Sequence, residues 1–161
     1  MKSGLDDYSF PAPTTPVKIN QEGCQYHPHV LGLQVGQNLE VTNSDQTTHN
    51  IHPIPMQNRE WNESQPPGAA PIEKSFARQE VAIPVKCNVH PWMKAYMAVL
   101  PNPEFQVTEK DGKFDLKNLP PGTYTLVAWH ELYGTSEQTV TVGPKESKSV
   151  TFTFKATASG D

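Results

Sequence analysis

Val81, Ile83, Val85 and Cys87 form one alternating row, and the row runs directly into the loop Cys87-Asn88-Val89-His90-Pro91-Trp92-Met93. A period of two puts these four side chains on one face of a strand, so the thiol points the same way as the apolar residues before it. No other stretch constrains the fold as tightly. The strand must lay that face on a core, with the cysteine at its rim, shielded on one side and reachable on the other. The loop then spaces a thiolate, an imidazole and a thioether three residues apart. With 2 Cys, 6 His and 4 Met among 161 residues, chance would produce C-x-x-H-x-x-M about 0.002 times. Singly, a buried Cys is a small hydrophobe and a Met is core filler. The spacing makes the set a candidate metal site.

Soft sulfur with imidazole suits copper, and two histidines with one cysteine and a weak axial methionine make an electron-transfer copper site. The loop holds one histidine, and Thr48-His49-Asn50-Ile51-His52 is the source of the other. Structural zinc is the poorer match. It favours four strong ligands, usually as C-x-x-C pairs or closely spaced histidines, and a thioether is a poor fourth.

The apolar fraction of 35% with 19% charged residues predicts a folded chain with a modest core. Sixteen prolines, without long helical periodicity, favour strands joined by ordered loops. The net charge of -4 and the lack of a basic run speak against nucleic acid as a partner. No apolar stretch is long enough for a membrane span. Met1 to Asp7 has no apolar core of a signal peptide.

Residues 1–22 read as an extended arm punctuated by Pro11, Pro13 and Pro16, with a short edge strand at Val17-Lys18-Ile19. Leu31, Leu33 and Val35, a turn at Gly36, then Leu39, Val41 and Asn43 predict a half-buried antiparallel pair. In the next segment His49 and Ile51 share one face, and Asn50 and His52 the other. Residues 53–80 form a long connection, expected to hold a short helix or packed loop. Lys94 to Leu100 is a further strand. From residue 105 the pattern becomes a meander with turns at Lys110-Asp111-Gly112 and Pro120-Pro121-Gly122. Tyr124 to Trp129, Val140 to Val142 and Val150 to Phe154 alternate, which predicts a second small β-sandwich. The boundary falls at Pro101 to Pro103, giving domains of 1–102 and 103–161.

Val35-Gly36-Gln37-Asn38-Leu39-Glu40-Val41, followed by His49-Asn50-Ile51-His52 and by the Cys87 to Met93 loop, resembles the cupredoxins, amicyanin and plastocyanin in particular. The resemblance implies a Greek-key β-sandwich carrying one type 1 copper per chain on His49, Cys87, His90 and Met93. It implies that Asn50 ties the two ligand segments together by hydrogen bonds. It also implies that Pro91 and Trp92 form an apolar patch beside His90 where a redox partner protein docks. Further on, Asp111-Gly112-Lys113-Phe114, Leu119-Pro120-Pro121-Gly122-Thr123-Tyr124 and Ala128-Trp129-His130-Glu131 resemble the carboxypeptidase-regulatory-like domain. As a whole the chain is similar to bacterial secreted proteins fusing these two parts, some labelled methylamine-utilisation proteins. That implies a periplasmic or extracellular home. Such proteins usually carry a signal peptide and a first strand upstream, so the chain is expected to be trimmed.

The leading expectation is a one-electron carrier, not an enzyme. Copper handling would call for exchangeable, sulfur-rich ligands, and a copper oxidase or nitrite reductase would call for further histidine clusters. Cys24 and His29 stand near each other in Cys24-Gln25-Tyr26-His27-Pro28-His29. They are either a second metal site, a contact to the first, or a free thiol beside a structural histidine. A Cys24–Cys87 disulfide is the remaining alternative, and it would preclude the copper site. His52 is expected at the surface, and His130 in a structural role.

Overall fold

The computed structural model describes residues 1–155. The described residues contain eleven strands and no helix. The strands are β1 (Val17–Glu22), β2 (Gln25–His27), β3 (Val30–Gln34), β4 (Leu39–Asn43), β5 (His49–Pro53), β6 (Glu63–Gln65), β7 (Ile72–Lys74), β8 (Glu80–Lys86), β9 (Lys94–Leu100), β10 (Gly122–His130) and β11 (Gly134–Val142). The chain divides into two compact units: Phe10–Lys113, and Met1–Ser9 together with the residues from Phe114 onward.

In the first unit a four-stranded sheet runs β2-β1-β4-β7 and a five-stranded sheet runs β3-β9-β8-β5-β6. The chain crosses repeatedly from one sheet to the other, so two neighbouring pairs, β1–β4 and β3–β9, are parallel. One apolar cluster fills the space between the sheets. Ile19, Tyr26, Leu39 and Val41 come from the first sheet, and Leu31, Leu33, Ile51, Ile83, Val85, Ala95, Met97 and Val99 from the second. Cys87 and Met93 belong to the same cluster.

Several sequence expectations need correcting. Val17 to Ile19 do not lie on an edge, because β1 sits between β2 and β4. The alternating runs either side of Gly36 are not a hairpin, since β3 pairs with β9 while β4 pairs with β1 and β7. Strands facing each other across a core show the same alternation as strands side by side, so periodicity could not separate the two arrangements. Val81 leaves its predicted row. A register shift between Glu80 and Ile83, with Ala82 at φ 64°, turns Val81 outward to 49% exposure. Ile83, Val85 and Cys87 keep their inward face. The long connection over 53–80 holds the short strands β6 and β7 rather than a helix.

In the second unit β10 and β11 form one antiparallel hairpin, with Gly122 opposite Val142 and His130 opposite Gly134. Tyr124 and Leu126 are buried there. The runs expected as strands at 114–116 and 150–154 form no ladder, yet the rings of Phe114 and Phe152 meet at 6.3 Å. Residues at the start of the chain join this unit rather than extending as an arm. Ser3 bridges to Thr125, the Lys2 N–H donates to the Thr125 carbonyl at 2.9 Å, and Leu5 is buried.

Candidate metal centre

Three connections meet around His49: the β1–β2 turn with Cys24, the β4–β5 connection with Asp45, and the β8–β9 loop with Cys87, His90 and Met93. His49 opens β5 and is 0% exposed. Its Nε2 lies 2.8 Å from Asp45 Oδ2. An ionised carboxylate only accepts, so Nε2 carries a proton, and in the neutral ring Nδ1 then keeps its lone pair. Nδ1 in turn lies 2.9 Å from His90 Nδ1. Two imidazoles from distant segments therefore converge through the same ring atom.

Cys87 sits beside this pair. Its Sγ is 3.9 Å from His90 Nδ1, receives the His90 backbone N–H at 3.4 Å, and donates to Asn50 Oδ1 at 3.3 Å. Met93 is buried, and its N–H donates to the His90 carbonyl at 2.9 Å, closing a turn that holds the loop compact. Asn50 joins the two segments. Its Oδ1 also accepts from the N–H groups of Asn88 at 2.6 Å and Val89 at 3.3 Å, while its Nδ2 donates to Asn88 Oδ1 and Asn62 Oδ1. Tyr26 donates its hydroxyl to the Asn50 carbonyl at 2.5 Å. Burial first, and then the neighbouring Cys87, push the Tyr26 phenol well above its ordinary range, so it stays a neutral donor.

Asp45 carries a second load. Its carboxylate accepts from the N–H groups of Gly23 at 2.8 Å and Cys24 at 2.9 Å. These bonds, that from Cys24 foremost and then that from His49, hold its carboxyl below the usual range. A carboxylate fixing the far nitrogen of a histidine is the common way to orient a metal-ligating imidazole.

The structure places the remaining histidines elsewhere. His29 Nδ1 lies 3.0 Å from the Lys94 carbonyl, and its ring meets Tyr96 edge-on. His52 Nε2 pairs with Glu60 at 2.5 Å. His130 Nδ1 accepts the Leu132 N–H at 3.1 Å and stacks on Tyr133. Cys24, by contrast, gathers with His49 and His90, their ligand atoms all within 4.8 Å of one another. Both cysteines are free thiols. Trp92 is 65% exposed, tilts against His90 with ring centroids 5.2 Å apart, and donates its indole N–H to the Cys24 carbonyl at 3.1 Å.

Residue-type spacing alone did not mark Asp45, Asn88 or Tyr26. Only Asp45 left a trace, standing four residues before His49.

Solved structures similar to this chain are cupredoxins. A Cu-containing nitrite reductase from Thermus scotoductus SA-01 aligns with TM-score 0.48 and 23% identity, over 53% of this chain and 22% of that one. A purple cupredoxin from Nitrosopumilus maritimus aligns with TM-score 0.43 and 24% identity, over 51% of this chain and 97% of the other. A reduced Cu(I) amicyanin variant gives 0.45 and 17%, over 60% and 96%. Residues 103–155 match the family model of the carboxypeptidase regulatory-like domain. No curated protein matches the chain. The chain thus spans about a fifth of the nitrite reductase and nearly the whole of the two smaller proteins.

Proposed function

We propose that this chain is a type 1 copper protein that carries single electrons, with His49, Cys87 and His90 as equatorial ligands and Met93 as a weak axial one. The observation that supports this most is the approach of His49 Nδ1 and His90 Nδ1 to 2.9 Å, with Cys87 Sγ 3.9 Å from the latter. Nothing but a shared proton or a shared cation reconciles two facing ring nitrogens at that distance. The donor chemistry, imidazole with soft sulfur, is that of copper. When bound, copper would supply a one-electron couple.

The chain's own residues account for the rest. Asp45 fixes the His49 tautomer so that Nδ1 is the atom offered to the metal. Asn50 holds the first residues of the Cys87 loop by accepting two of its N–H groups. The His90 N–H directed at Sγ stabilises a thiolate by charge-assisted hydrogen bonding. Ligands fixed from two segments limit rearrangement between oxidation states. Val89, Pro91 and Trp92 are exposed around His90, and we assign this apolar patch to transient docking of a redox protein. No helix of the described residues is long and apolar enough to cross a membrane. We place the protein in the periplasm or outside the cell, and give the unit that begins at Phe114 no part in the copper chemistry. We read its part as electron transfer rather than catalysis.

Visible absorption during Cu(II) titration tests this. An intense thiolate-to-copper band that saturates at one copper per chain, and is lost or displaced in Cys87→Ser, is the expected result. A colourless titration would leave the fold without its assigned role.

A further inference from the structure

A second sulfur stands at this centre. Cys24 Sγ, His49 and His90 offer ligand atoms within 4.8 Å of one another. Bonds of about 2.0 Å from nitrogen and about 2.3 Å from sulfur reach at most about 4.3 Å across one ion. These donors therefore draw in slightly to share it, and Cys87 Sγ, 3.9 Å from His90 Nδ1, joins them. Cys24 comes from a connection remote from both ligand segments, so local spacing cannot have brought it there.

Its backbone is fixed from both sides. The Cys24 N–H donates to Asp45 Oδ2, the oxygen that also takes His49 Nε2, and the Cys24 carbonyl accepts the Trp92 indole N–H. One carboxylate oxygen thus sets the position of two donors at once. The turn itself is a two-residue hairpin loop, with Gly23 at φ 61° and Cys24 at φ 54° between the paired Glu22 and Gln25. Such a turn needs positive φ at both central residues and favours Gly at the second. This chain instead holds a cysteine there, in a backbone region unfavourable to it.

We infer that Cys24 is a second thiolate ligand of the copper, bound together with His49, His90 and Cys87. This rests on the copper reading above and revises its fourth ligand, Cys24 taking the place given there to Met93. Each thiol gives its proton to solvent as its Cu–S bond forms, and no oxidant or reductant is consumed. Two thiolates sharing one ion weaken each Cu–S bond, so the charge-transfer spectrum departs from that of a one-cysteine site. Met93 is then left as a buried neighbour of the ion rather than as its fourth donor.

The test loads the full-length apoprotein anaerobically with one equivalent of Cu(I) and counts sulfur scatterers by X-ray absorption at the copper edge. Cys24→Ser and Cys87→Ser are measured in parallel. Iodoacetamide labelling with mass spectrometry follows Cys24 in the apo and loaded wild type. The expected result is two short Cu–S distances in the wild type, one in each variant, and loss of Cys24 labelling on loading. One short Cu–S distance in the wild type, with Cys24→Ser unchanged and Cys24 labelled in both forms, would overturn the inference and leave the type 1 reading intact. Absence of bound copper in the wild type would remove both. Because the sulfur count is taken on the native chain, it does not depend on either variant folding.

Discussion

Asp45 accepts from two backbone N–H groups of the Gly23-Cys24 turn and from the His49 ring, so one carboxylate couples a turn to a ligand. Asp45→Asn keeps the size but replaces a pure acceptor by an amide, which can present either an oxygen or an N–H to His49. The His49 tautomer is then no longer dictated. Copper affinity should fall about 10–100-fold, the usual loss when the partner of a metal-bound histidine is removed. Competition with a chelator of known affinity measures it. Unchanged affinity would mean that the rest of the pocket orients His49 unaided. The loop ligands were legible in the sequence because Cys87, His90 and Met93 are spaced along one short stretch. Asp45 was not, since its partners at 23, 24 and 49 come together only after the β1–β2 turn and the β4–β5 connection close on each other. The same distance left the alliance of Cys24 with His49 and His90 as only one of the alternatives the sequence offered, in which Cys24 was paired with its near neighbour His29.

Among the elements, β8 shows how a strand can be read correctly and still be misjudged at one end. Its inward row from Ile83 to Cys87 follows from period two, but the irregularity at Ala82 reverses Val81, and nothing in the composition of Glu80-Val81-Ala82 announces it. The same end of the strand anchors the long connection before it. The Glu80 carboxylate accepts from the Met56 N–H, from the Gln57 N–H at 2.9 Å, and from the Asn58 N–H at 3.2 Å and Nδ2 at 3.0 Å. Burial pushes this carboxyl up, but those donors outweigh it and leave it below the usual carboxylate range. A depressed folded value means that the charged form stabilises the fold. That contribution is complete above the unfolded value of about 4.3, and it is lost as pH falls through the lower folded value. Glu80→Gln should therefore cost about 1–2 kcal/mol at neutral pH, and the deficit should shrink as the wild type is acidified. Urea melts at a series of pH values would show it, and a deficit constant down to acid pH would assign the effect to shape rather than charge.

At the scale of the whole chain, sequence order and folding unit part company at both ends of the first unit. Residues 1–9 belong with the β10–β11 hairpin, where Leu5 is buried, although no periodicity in so short a polar stretch could assign them. Phe105 lies within the carboxypeptidase-regulatory-like match, yet it packs on Gly32 of β3, where an added Cβ would stand 2.5 Å from its ring. These two contacts allow the units to be perturbed separately. Gly32→Ala pushes a methyl into the Phe105 ring and should cost the first unit about 1–3 kcal/mol. Leu5→Ala empties a buried position and should cost the second about 2–3 kcal/mol. A ligand raises the stability only of the unit that binds it. In scanning calorimetry of the full chain, copper should therefore raise the transition that Gly32→Ala lowers and leave in place the one that Leu5→Ala lowers. A single transition, moved together by copper and by both substitutions, would mean that the chain melts as one cooperative body.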